Sequence, residues 1–239
     1  MAVTNINKKE LYLKIESFRN ILTSEGIKYP LDIFEICSKF EDLEIARCPF
    51  KTTGLRGMAV LADTTSNINC ILVNSKLSYE EQNFHGIHEL LHIYTSEPNS
   101  GQTFKCYDNV KPFQNSYIEW IANEGAAELT VPYKDLLPLV KKEYLEITKG
   151  LGTYEFCERT APMFAVTSTV IQNRLNSLSY EIQQYIGGVP LENIKVLSKA
   201  QQHKENIFVK SLNDLETERL LNWFKPKNNS DTNLIYVTI

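Results

Sequence analysis

Residues 88–92 read His88, Glu89, Leu90, Leu91, His92, a spacing that brings two imidazoles and a carboxylate within reach of one ion. Four residues of α-helix turn through about 400°, so both rings leave one face about 40° apart, with roughly 6 Å between their Cβ atoms. Neutral imidazole nitrogens suit Zn²⁺, and Glu89 is placed to take a proton from a water that such an ion activates. The chemistry implied is metal-assisted hydrolysis, and it requires a helix. Ser78 followed by Glu81 forms a capping box that starts one, and Phe84, Ile87, Leu91 and Tyr94 give it an apolar stripe at spacings of three and four.

Two ligands do not complete a site. Structural zinc is closed by four protein ligands, whereas a catalytic site has three and keeps a position for water. Cys37, Cys48, Cys70, Cys106 and Cys157 are scattered with no CxxC pair. His85 shares the face of His88 but would crowd it, and His203 stands alone in a polar stretch. Glu119, 27 residues after His92, is the stronger candidate. It lies near the start of a second helix that runs to Pro132, whose small residues Ala122, Gly125, Ala126 and Ala127 allow close approach to another helix. Asn123, one turn further on, is placed to hydrogen-bond a ligating imidazole. Competing readings exist: Ser116 and Glu119 also satisfy a capping box, in which Glu119 would serve only its own first turn, and Glu124 and Glu128 are rival carboxylates read as facing solvent. A donor for a tetrahedral oxyanion is also required; Tyr94, Tyr117 and Tyr133 are near in sequence, and nothing there chooses among them.

With these residues the chain resembles the ImmA/IrrE family of zinc metallopeptidases. The likeness is carried by Tyr29-Pro30-Leu31-Asp32-Ile33, by Arg56 to Val60, by Ile71-Leu72-Val73-Asn74, by the His88–His92 motif and by Glu119 to Pro132, and it covers about residues 10 to 180. Members often have Gly before the second His and a Phe-Ala pair in the second helix, where this chain has Leu91 and Gly125-Ala126. The resemblance implies that His88, His92 and Glu119 bind zinc and that Glu89 is the general acid and base. It implies an α+β, zincin-like core in which a small sheet packs on the motif helix, and a regulatory protease that cuts a DNA-binding, helix-turn-helix repressor of a mobile element or phage. The competing implication is a non-proteolytic regulator or antitoxin-like binding module that keeps zinc for structure; the retained Glu89 favours the enzyme.

The elements that must position the site follow from periodicity and turn signals. Helices are predicted from Asn7 to Ser24, stopped by Gly26, and from Asp32 to Phe40. Three strands follow, Leu43 to Cys48, Arg56 to Ala62 and Asn69 to Asn74, forming a three-stranded sheet whose edge could receive an extended peptide. Glu97 to Asn115 reads as a long polar loop, a candidate lid. The expected organisation is a zincin-like domain over 1–133 and a mainly helical region over 134–239.

Within that second region, residues 153–178 look like the helix-turn-helix-like piece that many members carry. From Lys134 to Leu178 six basic residues (Lys134, Lys141, Lys142, Lys149, Arg159, Arg174) face five acidic ones (Asp135, Glu143, Glu146, Glu155, Glu158), a balance that favours protein docking over direct nucleic-acid binding. Leu191 to Glu205 and Asn213 to Phe224 read as helices and Leu234 to Ile239 as a last strand.

The composition suits a cytoplasmic protein: 239 residues, 43% hydrophobic, net charge −4 and an odd number of dispersed cysteines that reads as reduced thiols. No apolar run in Met1 to Glu10 reads as a secretory signal, and no stretch is long enough for a bilayer.

Overall fold

The computed structural model describes residues 6–97, 100–112, 114–148 and 152–224. The chain opens with helix α1 (Lys8–Ser24), begun by a capping box between Asn7 and Glu10, and α2 (Ile33–Lys39), capped by the Asp32 side chain. Strands β1 (Leu43–Cys48), β2 (Leu55–Val60) and β3 (Asn69–Asn74) follow, then the motif helix α3 (Tyr79–Thr95). A fourth strand, β4 (Thr103–Tyr107), precedes α4 (Ser116–Thr130). The rest is helical: α5 (Tyr133–Ile147), α6 (Gly152–Thr160), a 3₁₀ turn (Ala161–Phe164), α7 (Ser168–Ser177), α8 (Ser179–Ile186), a second 3₁₀ turn (Leu191–Asn193), α9 (Lys199–Lys204) and α10 (Leu212–Phe224). Among the described residues no helix is long and apolar enough to cross a membrane.

Among the described residues the sheet has four strands, not three, in the order β1-β3-β2-β4. β1 runs parallel to β3, while β3 with β2 and β2 with β4 are antiparallel. The additional strand lies inside the segment expected as a polar loop. Its sequence alternates, Phe104 and Cys106 turning inward between the more exposed Thr103 and Lys105, but five residues among polar neighbours give a weak period-two signal. The edge beside the motif helix is therefore β4.

α3 lies across the inner face of β2 and β3, where Gly57, Ala59, Ile71 and Val73 are buried. Asn83, fully buried on α3, fixes its approach: its side chain accepts from Ile33 N (2.8 Å) and donates to Leu31 O (2.8 Å) and Ala165 O (3.2 Å). Gly86 lets α3 close onto α2, since a Cβ there would meet Ile33 side-chain carbons at 2.9 Å. The small face expected of α4 sits against α3, with Ala122 and Ala126 fully buried and a Cβ on Gly125 only 3.1 Å from Leu91 Cδ1.

One hydrophobic cluster includes Leu11, Leu91, Leu129, Val140, Ile171 and Leu212, residues on both sides of position 133. Residues 153–178 fold as α6, the 3₁₀ turn and α7. Arg174, counted above among the basic residues of this piece, is 1% exposed and points inward. Leu191 to Glu205 is not one helix. Gln184 clasps the N–H and carbonyl of Lys195 (both 2.9 Å), holding an extended stretch that buries Ile194 and Val196, and α9 starts only at the Ser198–Gln201 capping box. The strand expected from Leu234 to Ile239 lies outside the described residues.

Candidate metal centre

The two imidazoles converge as the four-residue spacing requires. His88 Nε2 and His92 Nε2 are 3.1 Å apart, and Glu119 Oε2 stands 3.5 Å from the first and 3.7 Å from the second. All three residues are buried. In a tetrahedron with bonds of about 2.0–2.1 Å, neighbouring ligand atoms are about 3.3 Å apart, so this triangle has the size of one face of such a site. The two Nε2 atoms face each other and the carboxylate, a set of donors that a cation satisfies. Burial lowers the proton affinity of His92 and so keeps it neutral, as ligation demands. Burial alone would raise the Glu119 carboxyl, but the two imidazoles beside it outweigh this and hold it below the usual range, at about 2. The donor set fits a borderline divalent ion.

α4 begins one residue earlier than the competing capping box requires. Asn115 is the cap, its side chain accepting from Tyr117 N (3.0 Å) and Ile118 N (3.3 Å), which leaves the Glu119 carboxylate free to reach α3. Gln114 then aims it. Gln114 Nε2 donates to Glu119 Oε1 at 2.9 Å and to Lys105 O on β4 at 2.7 Å, while its Oε1 accepts from Lys111 N at 2.7 Å. Sequence reasoning missed this residue, because a side chain that reaches five positions forward from an irregular turn leaves no periodic trace.

Glu89 is fully buried on the neighbouring side of α3. Its Oε1 accepts from Cys106 N at 3.1 Å, and the Ala59 N–H supplies a further backbone bond. Pairing between β2 and β4 shifts register at Leu55/Gly57, and Gly57 stands opposite Cys106, so the carboxylate enters the sheet where a residue with a Cβ would collide with it. Oε2 has no hydrogen-bond partner among the described residues. Burial, and after it the Glu119 charge, raise the Glu89 carboxyl well above its ordinary value. Phe104 of β4 stacks on the His92 ring, with centroids 4.3 Å apart and planes 6° from parallel.

Other expected roles need correction. Asn123 is exposed and does not support an imidazole: the open sector of α4 holds Trp120, Asn123 and Ala127, while Nδ1 of both His88 and His92 is buried with no hydrogen-bond partner among the described residues. Glu124 and Glu128, expected in solvent, are buried about 140° and 180° around α4 from Glu119. There they meet Arg174, with Nη1 2.8 Å from Glu124 Oε1 and Nη2 against Glu128 Oε2, and Lys8 and Arg19 stand nearby. The three tyrosines are engaged elsewhere: Tyr94 stacks on Phe18, Tyr133 on Tyr12, and Tyr117 donates to Ile6 O. His85 lies outside the triangle, its Nδ1 3.5 Å from Cys106 Sγ.

No curated protein matches the chain. The IrrE N-terminal-like domain of peptidase family M78 matches residues 41–176, more than half of the chain and every residue of the triangle. A helix with paired imidazoles, a carboxylate arriving from the next helix and a buried glutamate between them agree with that match: the chain belongs to the M78 peptidase family.

Proposed function

We propose that the protein is a zinc-dependent endopeptidase in which His88, His92 and Glu119 hold the metal and Glu89 carries the proton. The reading is supported above all by the coincidence of a three-donor triangle with a buried, half-anchored carboxylate: one Glu89 oxygen lies within 4.8 Å of a His88 ring nitrogen. Zinc, when bound, would polarise a scissile carbonyl and acidify a water at the open corner. Glu89 Oε1 is held by the Cys106 N–H, so Oε2 is left to accept a proton from that water and to pass it to the leaving amine nitrogen. The raised proton affinity of the buried carboxyl suits both halves of this transfer.

β4 is the edge strand nearest the centre, and its outer side offers main-chain groups along which an extended substrate would lie. Resemblance supplies the substrate class, a helix-turn-helix repressor encoded near this gene. The near balance of charge over α5 to α7, with Arg174 turned inward, favours docking of a protein over nucleic acid.

The test is incubation of the zinc-loaded protein with the repressor encoded nearest its gene. Glu89→Gln should retain the metal and lose about 10²- to 10⁴-fold in rate. Undiminished cleavage removes Glu89 from its role, and stoichiometric zinc with no cleavage by the wild type favours the binding module.

A further inference from the structure

We infer that the cleft between the starts of α1, α4 and α9 binds a nucleoside phosphate, its base against Trp120 and its phosphate at Lys199 and Lys204. The cleft has a volume of about 710 Å³, inside the range of roughly 300–1,000 Å³ usual for small-molecule sites. It is separate from the metal centre, since none of His88, Glu89, His92 and Glu119 lines it. Its walls are tied to their neighbours by hydrogen bonds. Tyr117 Oη on α4 donates to Ile6 O before α1 (3.1 Å), Lys8 N on α1 donates to Gln201 Oε1 on α9 (3.5 Å), and Lys199 Nζ on α9 donates to Ser179 Oγ on α8 (2.6 Å).

Charge and aromatic surface together select the ligand. Three lysines and one glutamate line the cleft, in a chain whose net charge is −4. Two of these groups are already matched: Lys8 Nζ by Glu181 Oε1 at 3.1 Å, and Glu124 Oε1 by Arg174 Nη1 at 2.8 Å. Lys199 and Lys204 are exposed, and Lys199 Nζ bonds a neutral hydroxyl, so the positive charge offered to a ligand is theirs. Burial and, after it, the nearby Lys8 charge lower the proton affinity of Lys199, a strain that a bound anion offsets. The aromatic wall is the half-buried Trp120, on which Tyr117 stacks with 5.9 Å between ring centroids and 24° between planes. An indole held in this way is a platform for a heterocyclic base, and a lysine ammonium is a point charge suited to phosphate. Asn7 and Gln201, also in the lining, use their side-chain oxygens to cap α1 and α9, which leaves their amide N–H groups to donate to ribose or phosphate oxygens. A bare phosphate or an apolar molecule would use only half of this surface.

Calorimetric titration of the full-length protein with AMP, GMP, adenosine and inorganic phosphate tests the site. A mononucleotide should bind one per chain, adenosine and phosphate each at least tenfold more weakly, and affinity should fall as salt rises. The double substitution Lys199→Ala with Lys204→Ala, at exposed positions, should weaken the nucleotide at least tenfold with the melting temperature unchanged. The indole N–H resonance of Trp120, assigned by its loss in Trp120→Phe, should move on addition of AMP and stay in place on addition of phosphate. No binding at millimolar nucleotide, an affinity unchanged in the lysine double variant, or phosphate bound as tightly as AMP overturns the site. Uptake of an oligoglutamate peptide in preference to nucleotide would assign the cleft to an acidic protein segment and overturns it equally. The titration needs neither zinc nor cleavage, so failure of this site is distinguishable from failure of the peptidase reading.

Discussion

Gly57 and Glu89 compete for one space: a Cβ on Gly57 would stand 2.9 Å from Glu89 Oε1 and 3.1 Å from its Cγ. The missing side chain on β2 is what lets a carboxylate of α3 reach the backbone N–H groups of the sheet. Gly57→Ala should therefore push Glu89 from its anchors. The expected outcome is a fall in kcat of at least about tenfold with zinc content unchanged, and a stability loss of about 1–3 kcal/mol from overpacking. Paired metal analysis and steady-state kinetics check this, and an unchanged kcat would separate Glu89 from its anchored position.

Gln114 joins Glu119 to β4 and to the turn before α4. Removing groups that orient a metal ligand typically costs 10- to 100-fold in metal affinity. Gln114→Ala should weaken zinc by about that factor in competition with a chelator, while Asn123→Ala, at an exposed position, should leave affinity as it is.

Arg174 holds the opposite side of α4. Its guanidinium reaches Glu124, Glu128, the Tyr12 hydroxyl (2.7 Å) and Val131 O (3.0 Å) with no side-chain surface in solvent. Arg174→Met would strand two buried carboxylates, and loss of one partner from such a group costs about 3–5 kcal/mol. Chemical denaturation should show this loss, and adding Glu124→Gln with Glu128→Gln should recover part of it.

Glu124 also sets an acid limit on stability. Burial raises its carboxyl, but Lys8 from α1 and Arg174 from α7 outweigh burial, helped by the Tyr12 hydroxyl at 2.5 Å, so its pKa falls below the ordinary 4.5. Glu128 on α4, Glu181 on α8 and Arg19 on α1 stand in the same cluster. A carboxylate whose folded value lies below its unfolded one contributes stability above the unfolded value and loses it as pH falls through the folded one. Melting temperature should therefore drop as pH falls below about 4.5, and Glu124→Gln should flatten that slope. A slope identical in both proteins would assign acid lability to other groups.

Helices α1 to α4 were legible because local chemistry marks them: Asn7 with Glu10 and Ser78 with Glu81 are true capping boxes, and the His88–His92 spacing means little outside a helix. The triangle was legible for the same reason, once a carboxylate was sought on a small-faced helix. What lay hidden depends on tertiary partners. β4 is a strand because β2 pairs with it, and its five residues carry too little alternation to announce themselves. Gln114 acts across a turn. Glu124 and Glu128 look like solvent-facing charges until Arg174, Lys8 and Arg19 arrive from distant helices. Near the other end, a side-chain clasp by Gln184 and the alternation of Ile194 and Val196 overrode a helical reading.

Glu119 closes a three-donor set with His88 and His92. Zinc analysis of the purified wild type, Glu89→Gln, His92→Ala and Glu119→Ala proteins tests it. One zinc per chain in the first two and little in the last two is the expected result; Glu119→Ala retaining a full equivalent of zinc would contradict it.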